Sequence, residues 1–179
     1  MTIPRVGPPY DFLPAFIASI SGSGFPCFWD TDSRPISPLG YIELHEMSLA
    51  SVNNDEIRRL YNVSTGEQTT AFLGSRKWVV QARVGAFTRN VRAGEILERI
   101  KIRLGKPLSY NQYANQGLAL IDWGSTISQP IQADSRMISS SVCEFVFGFR
   151  SVDIDTLSES EGWIEQVDSG ANVPGTYTS

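Results

Sequence analysis

Covalent chemistry by side chains needs a nucleophile beside a base, a pair of carboxylates, or a metal held by clustered His, Cys and acidic residues. This chain of 179 residues offers few candidates. Its one histidine, His45, stands in the strand-like run ELHEM with no partner at a spacing that completes a catalytic set, so it reads as structural or half-exposed. Cys27 and Cys143 lie in apolar, aromatic surroundings, which favours inert protonated thiols. They lack CxxC or Cys/His spacing, and free thiols in a reducing compartment are expected, a single disulfide being the alternative. Asp30 and Asp32 in WDTDS, or Asp153 and Asp155 in SVDIDT, are spaced as pairs that could bind a hard cation or exchange protons. No calcium-loop pattern surrounds either pair, and they read as strand-end acids. Gly22-Ser23-Gly24 lacks the lysine of a phosphate loop and reads as a linker. The expectation is no catalysis, no metal and no cofactor.

The elements that must carry these residues follow from hydrophobic period. Tyr10 to Ser19 reads as a short helix with Phe12, Phe16 and Ile20 on one face and Pro14 in its first turn, followed by a flexible Ser21 to Gly24. Phe25 to Asp30 and Tyr41 to Leu49 read as strands on either side of a Pro-rich extended passage, Ser33 to Pro38. Residues 50–74 read as a long loop or insertion with a helical turn at Glu56 to Tyr61. From Trp78 to Phe87 the period is two, placing Trp78, Val80, Ala82, Val84 and Ala86 on one face.

The period then changes to that of a helix, with Ala93, Ile96, Leu97, Ile100 and Leu104 in one stripe, Asn90 as its cap, and Gly105 and Pro107 as its stop. An Asn/Gln-rich connector leads to a strand at Leu118 to Trp123, and Gly124 to Pro130 turns the chain. Ser139 to Arg150 is the strongest strand pattern, with Cys143, Phe145, Phe147 and Phe149 on the face that should cover the helix stripe. Interleaved aromatics can also stack single-stranded nucleic acid, but this alternation places the phenylalanines in the core. Residues 169–179 read as a flexible tail. The whole reads as one domain, 1–179, of the α+β class: a mostly antiparallel sheet with helices packed on one face.

Composition agrees with a folded domain, at 41% hydrophobic and 19% charged residues. No apolar run is long enough for a membrane helix, and no signal peptide is read at the N-terminus. Charge is segregated. Nine of the fifteen Lys and Arg lie between Arg76 and Lys106 against two acids, about +7 in a chain of net −4, so the other residues sum to about −11. Six acids and no bases run from Asp153 to Asp168. A net acidic chain is a poor general binder of phosphate backbones. The basic block is either the solvated face of a helix or a contact surface, and its arginines, six against three lysines, favour contact.

The order of segments resembles that of the neck or tail terminator family of tailed bacteriophages. A leading helix, a strand ending in WDTD, Pro35 and Pro38, and GYIEL form the first half of the likeness. WVVQARVGAF, the helix AGEILERIKIRL, GLALIDWG, a loop with Arg136, a strand ending in FGFR and a final WIEQV form the second. It spans nearly the whole chain except Ala50 to Gly74 and the last ten residues; the insertion and the serine-rich approach to the Phe strand depart from it.

The resemblance implies a virion protein at the head-tail junction that assembles in the host cytoplasm. It would form a homohexameric ring that caps the completed tail tube, stops tube polymerisation and presents a surface to the head-completion or connector protein. The sheath is a further partner if the tail is contractile. DNA passes through the channel without specific binding, and no membrane is involved. A head-completion or adaptor ring at the same junction is the alternative, with a small soluble enzyme or a nucleic-acid-binding module from other classes. A ring joins two different patches of neighbouring copies. The candidates are the basic Arg83, Arg89, Arg92, Arg99 and Arg103, set against the acidic Asp153, Asp155, Glu159, Glu161 and Glu165.

Overall fold

The two long period-two runs pair with each other and form the spine of the sheet. In the computed structural model, which describes residues 7–33, 37–53, 56–61, 68–88, 90–133 and 136–155, β4 (Gln68–Ala86) and β8 (Arg136–Asp155) run antiparallel from Thr70 opposite Asp155 to Ala86 opposite Ser139. β2 (Gly40–Ser51) pairs antiparallel with the second half of β4, and β1 (Cys27–Trp29) pairs parallel with β2. β5 (Leu118–Trp123) pairs with β8 on the far side, giving the order β1-β2-β4-β8-β5. Short β6 (Ile127–Ser128) and β7 (Ile131–Ala133) also pair with β8.

Three helices, α1 (Phe12–Ser21), α2 (Ala93–Leu104) and α3 (Pro107–Ala114), accompany this sheet, making an α+β fold with a mostly antiparallel sheet. The alternations read from sequence are realised. Trp78, Val80, Ala82, Val84 and Ala86 of β4 share one core with Cys143, Phe145, Phe147 and Phe149 of β8 and the whole α2 stripe. Each buried phenylalanine contributes about 2 kcal/mol of transfer free energy before entropy is counted.

Four local expectations are corrected. The passage 50–74 is strand over Glu56–Tyr61, which forms β3 where a helical turn was expected, and again from Gln68, where β4 begins. β3 pairs with Glu56 opposite Leu73, so this part of the chain lengthens the sheet. The backbone ladder that β4 offers outweighs the helical propensity of so short a segment.

Asn90 does not cap α2. Arg92 holds the cap position in an extended conformation, and the first free amide, that of Ala93, donates to Ser139 Oγ at 3.1 Å. The cap hydroxyl comes from β8, 46 residues away in sequence. The connector after Gly105 is the helix α3. Pro107, expected as a stop, occupies its first turn, where the missing amide is no loss.

Ser21 to Gly24 forms a built turn. Ser21 ends α1, Gly22 closes it at φ 61°, and Ser23 accepts the Phe25 amide at 3.1 Å. The 169–179 tail lies outside the described residues.

Both cysteines are free, as expected. Burial pushes the Cys27 thiol from about 9 up to about 12 and raises that of Cys143. A thiol held protonated in the fold ionises between pH 9 and 12 only when the chain unfolds. Its contribution is therefore complete below pH 9 and is lost as pH rises through 12. Unfolding free energy measured by urea titration is expected to decline along this alkaline limb, with a shallower slope in Cys27→Ala. At pH 8 neither thiol should react with iodoacetamide until the chain is denatured.

Candidate functional site

β2 alternates so that Ile42 and Leu44 enter the core while Glu43 and His45 share the opposite face of the sheet. Parallel pairing sets Trp29 beside Leu44, and the turn after β1 brings Asp30 to His45. His45 Nδ1 lies 2.8 Å from Asp30 Oδ2, and Nε2 lies 3.3 Å from Glu43 Oε2. Arg83, the residue opposite Glu43 on β4, reaches the same Glu43 oxygen at 3.7 Å. Two carboxylates thus meet an arginine and an imidazole, and each ring nitrogen faces one of the carboxylates.

On the helix side, a cavity of about 660 Å³ opens between α1 and the β1–β2 edge, lined by residues including Tyr10, Asp11, Cys27, Trp29, Asp32 and Glu46. Its polar groups are tied into the fold. Glu46 accepts from Tyr10 Oη and from Trp78 Nε1 at 2.8 Å. Partial burial first, then the Glu46 hydrogen bond and charge, push the Tyr10 hydroxyl up to about 12. Asp32 accepts the Trp29 amide at 3.2 Å, closing the WDTD turn. Asp30 and Asp32 therefore have separate tasks. Among the described residues no three His, Cys, Asp or Glu side chains are arranged to hold a metal ion, and no helix is long and apolar enough to cross a membrane.

The basic residues divide by role. Arg103 donates to Ile20 O at 2.7 Å, and Arg99 approaches Gly22 O at 3.5 Å. Both cations lie against the C-terminus of α1, where carbonyls left without intrahelical partners favour positive charge. A Cβ at Gly22 would meet Arg103 Nη1 at 2.6 Å, so the glycine leaves room for the guanidinium as well as the left-handed turn. Arg83 is committed to Glu43. Arg92 is exposed, with only a loose 4.0 Å contact to Glu95. Lys101 pairs with Glu98 at 2.9 Å, and Glu98 also accepts from Thr126, which first, ahead of Lys101, lowers its pKa. Arg103 and Arg83 thus each make a contact within their own chain.

Arg89, Glu159, Glu161 and Glu165 lie outside the described residues. Asp153 and Asp155 end β8 opposite Phe72 and Thr70, and their side chains are likewise outside the described set. They lie far along β8 from Ser139, where α2 begins.

Apolar side chains at the surface were missed by reading charge alone. Ile102 of α2 is 66% exposed, Leu108 of α3 74% and Trp123 of β5 41%. The Trp123 ring reaches Gly105, a Cβ there lying 4.0 Å from its Cη2. Ile102 is legible in retrospect as an isoleucine out of phase with the buried stripe. No family model matches this chain, and no curated protein matches it.

Proposed function

We propose that the chain is a structural subunit of a tailed-phage head-tail junction, a tail (neck) terminator whose copies form a ring on the end of the completed tube. The observation that carries this reading is the exposure of large apolar side chains, Ile102 on α2, Leu108 on α3 and Trp123 on β5, the Trp123 ring reaching Gly105 between the two helices. Exposed apolar surface of this kind suits a protein that works by contact. The segment order that resembles the terminator family supplies the kind of contact, a closed ring of identical subunits. The engaged His45 and the protonated thiols add support, since they offer no ready base or nucleophile. Six copies would carry about −24, a charge that lets DNA pass without being gripped.

Purified protein added to polymerising tube protein is expected to shorten the tubes and to appear as an annulus at one end in negative stain. Tubes of unchanged length with no annulus would overturn the reading. Binding confined to the portal side would make the chain an adaptor ring.

A further inference from the structure

One end of the sheet is a ribbon of three strands, β3, β4 and β8, with an edge on either side. β3 pairs with β4, and the last stretch of β8 lies across the same part of β4, so that Ile57 stands level with Phe72 and Asp153, and Arg59 with Thr70 and Asp155. β5 reaches no further along β8 than Phe149, the partner of Leu118. Among the described residues, therefore, no strand pairs with β8 from Arg150 to Asp155 on the side away from β4, and none pairs with the outer side of β3. Parity identifies the backbone groups that face outward, because successive residues of a strand point their N–H and C=O to opposite sides. Phe87, just past the end of β4, donates to the Leu39 carbonyl, and the Ser75 carbonyl accepts from Val52, so odd-numbered residues of β4 bond toward β2 and β3. Even-numbered ones bond toward β8. On β8 the Ser140 and Glu144 carbonyls accept from Gln129 and Gly124, on the side away from β4. The same alternation leaves Ile57, Arg59 and Tyr61 of β3, and Arg150, Val152 and Ile154 of β8, with amide and carbonyl facing outward.

An edge of this kind is a template for another strand. Resting on the reading of the chain as a ring subunit, we infer that the β3 edge of one copy pairs in parallel with the β8 edge of a second copy, so that the sheet continues from subunit to subunit. The two edges match each other. They stand at one level, each offers three outward residues, and they run in the same direction because both are antiparallel to β4. Copies turned about an axis along the strands keep that direction, and every copy then carries both halves of the joint. The contact joins different surfaces of neighbours, which is the heterologous geometry that closes a ring. Its affinity comes from main-chain hydrogen bonds, as in other strand additions.

Proline at an outward position removes an amide from the edge and leaves the bonds to β4 in place. Ile57→Pro blocks one edge, and Val152→Pro blocks the other. In the full chain each is expected to weaken self-association at least about tenfold by sedimentation, since one hydrogen bond is lost and its acceptor is left unsatisfied, with an unchanged circular dichroism spectrum. Mixing tests the geometry. The two single variants together should form pairs and nothing larger, because one open β3 edge remains for one open β8 edge, and a chain carrying both substitutions should stay monomeric. In the unsubstituted chain, hydrogen exchange at the amides of Ile57, Arg59, Tyr61, Val152 and Ile154 should slow on assembly, a readout that needs no variant. Assembly that leaves these amides exchanging freely would overturn the joint, as would full protection already present in the dilute monomer; both outcomes leave the ring reading standing. Pairs formed by either single variant alone would show that like edges join, and would overturn it as well. If the unsubstituted chain stays monomeric even with tube protein, the ring reading falls together with this inference.

Discussion

Trp78→Ala is expected to remove about 3–5 kcal/mol from the unfolding free energy, a large share of the roughly 5–15 kcal/mol typical of a domain. Trp78 is fully buried in the central strand β4. Its ring meets Tyr10 at 5.5 Å, Trp29 at 5.6 Å and Phe147 at 6.0 Å between centroids. Its indole N–H also fixes Glu46, which in turn holds Tyr10, and Trp29 Nε1 donates to the Tyr10 carbonyl at 2.9 Å. Truncation leaves a cavity where β2, β4 and β8 meet the chain entering α1, and removes one of the donors that satisfy Glu46. Trp78→Phe keeps most of the ring and loses the hydrogen bond, so about 1–2 kcal/mol is expected. Urea midpoints of the two variants separate packing from hydrogen bonding. Equal losses would show that the Glu46 contact, rather than the ring, carries the effect.

Gly40→Ala is expected to cost about 2–4 kcal/mol, through close approach as well as backbone strain. Gly40 opens β2 at φ 155°, and a Cβ there would stand 2.3 Å from the Gly85 carbonyl oxygen and 2.4 Å from the Phe25 ring. The oxygen belongs to the backbone of β4, which is paired on both sides at this point, by Tyr41 of β2 and Ser140 of β8. It cannot move without disturbing both ladders. Gly24, at φ 73°, has open space within 4 Å of where a methyl group would stand, so Gly24→Ala carries only the conformational cost of about 1 kcal/mol. Denaturant titrations of the two variants side by side check the difference. Similar losses would mean that strand approach is not what requires glycine at position 40.

Legibility in the sequence followed the range of the interaction. The α2 stripe from Ala93 to Leu104 and the alternation of Cys143, Phe145, Phe147 and Phe149 were readable because side-chain direction repeats with the local backbone, and all of these residues are buried. The strand at Glu56–Tyr61 was not readable. Its place is set by pairing with β4, and a short polar-apolar mixture has no decisive period of its own. Ser139 as the cap of α2 and Asp30 as the partner of His45 were hidden for a related reason. Each depends on segments brought together by the sheet, across 46 and 15 residues. Glu43, two residues before His45, could have been found, since such residues share a face of a strand.

Charge shows the same division. The α+β class, the faces of the central strands and α2, and the concentration of cations between Arg76 and Lys106 are all consequences of period and composition, which need no partner. How those cations are used is settled by packing: Arg83 on Glu43, Arg103 on the α1 carbonyl of Ile20, and Arg92 toward solvent. Packing also brings the Trp123 ring of β5 to Gly105 at the end of α2 and leaves Ile102 and Leu108 exposed. An ion pair or a surface patch is a relation between residues distant in sequence, and it exists only once strand register and helix packing have set the distances.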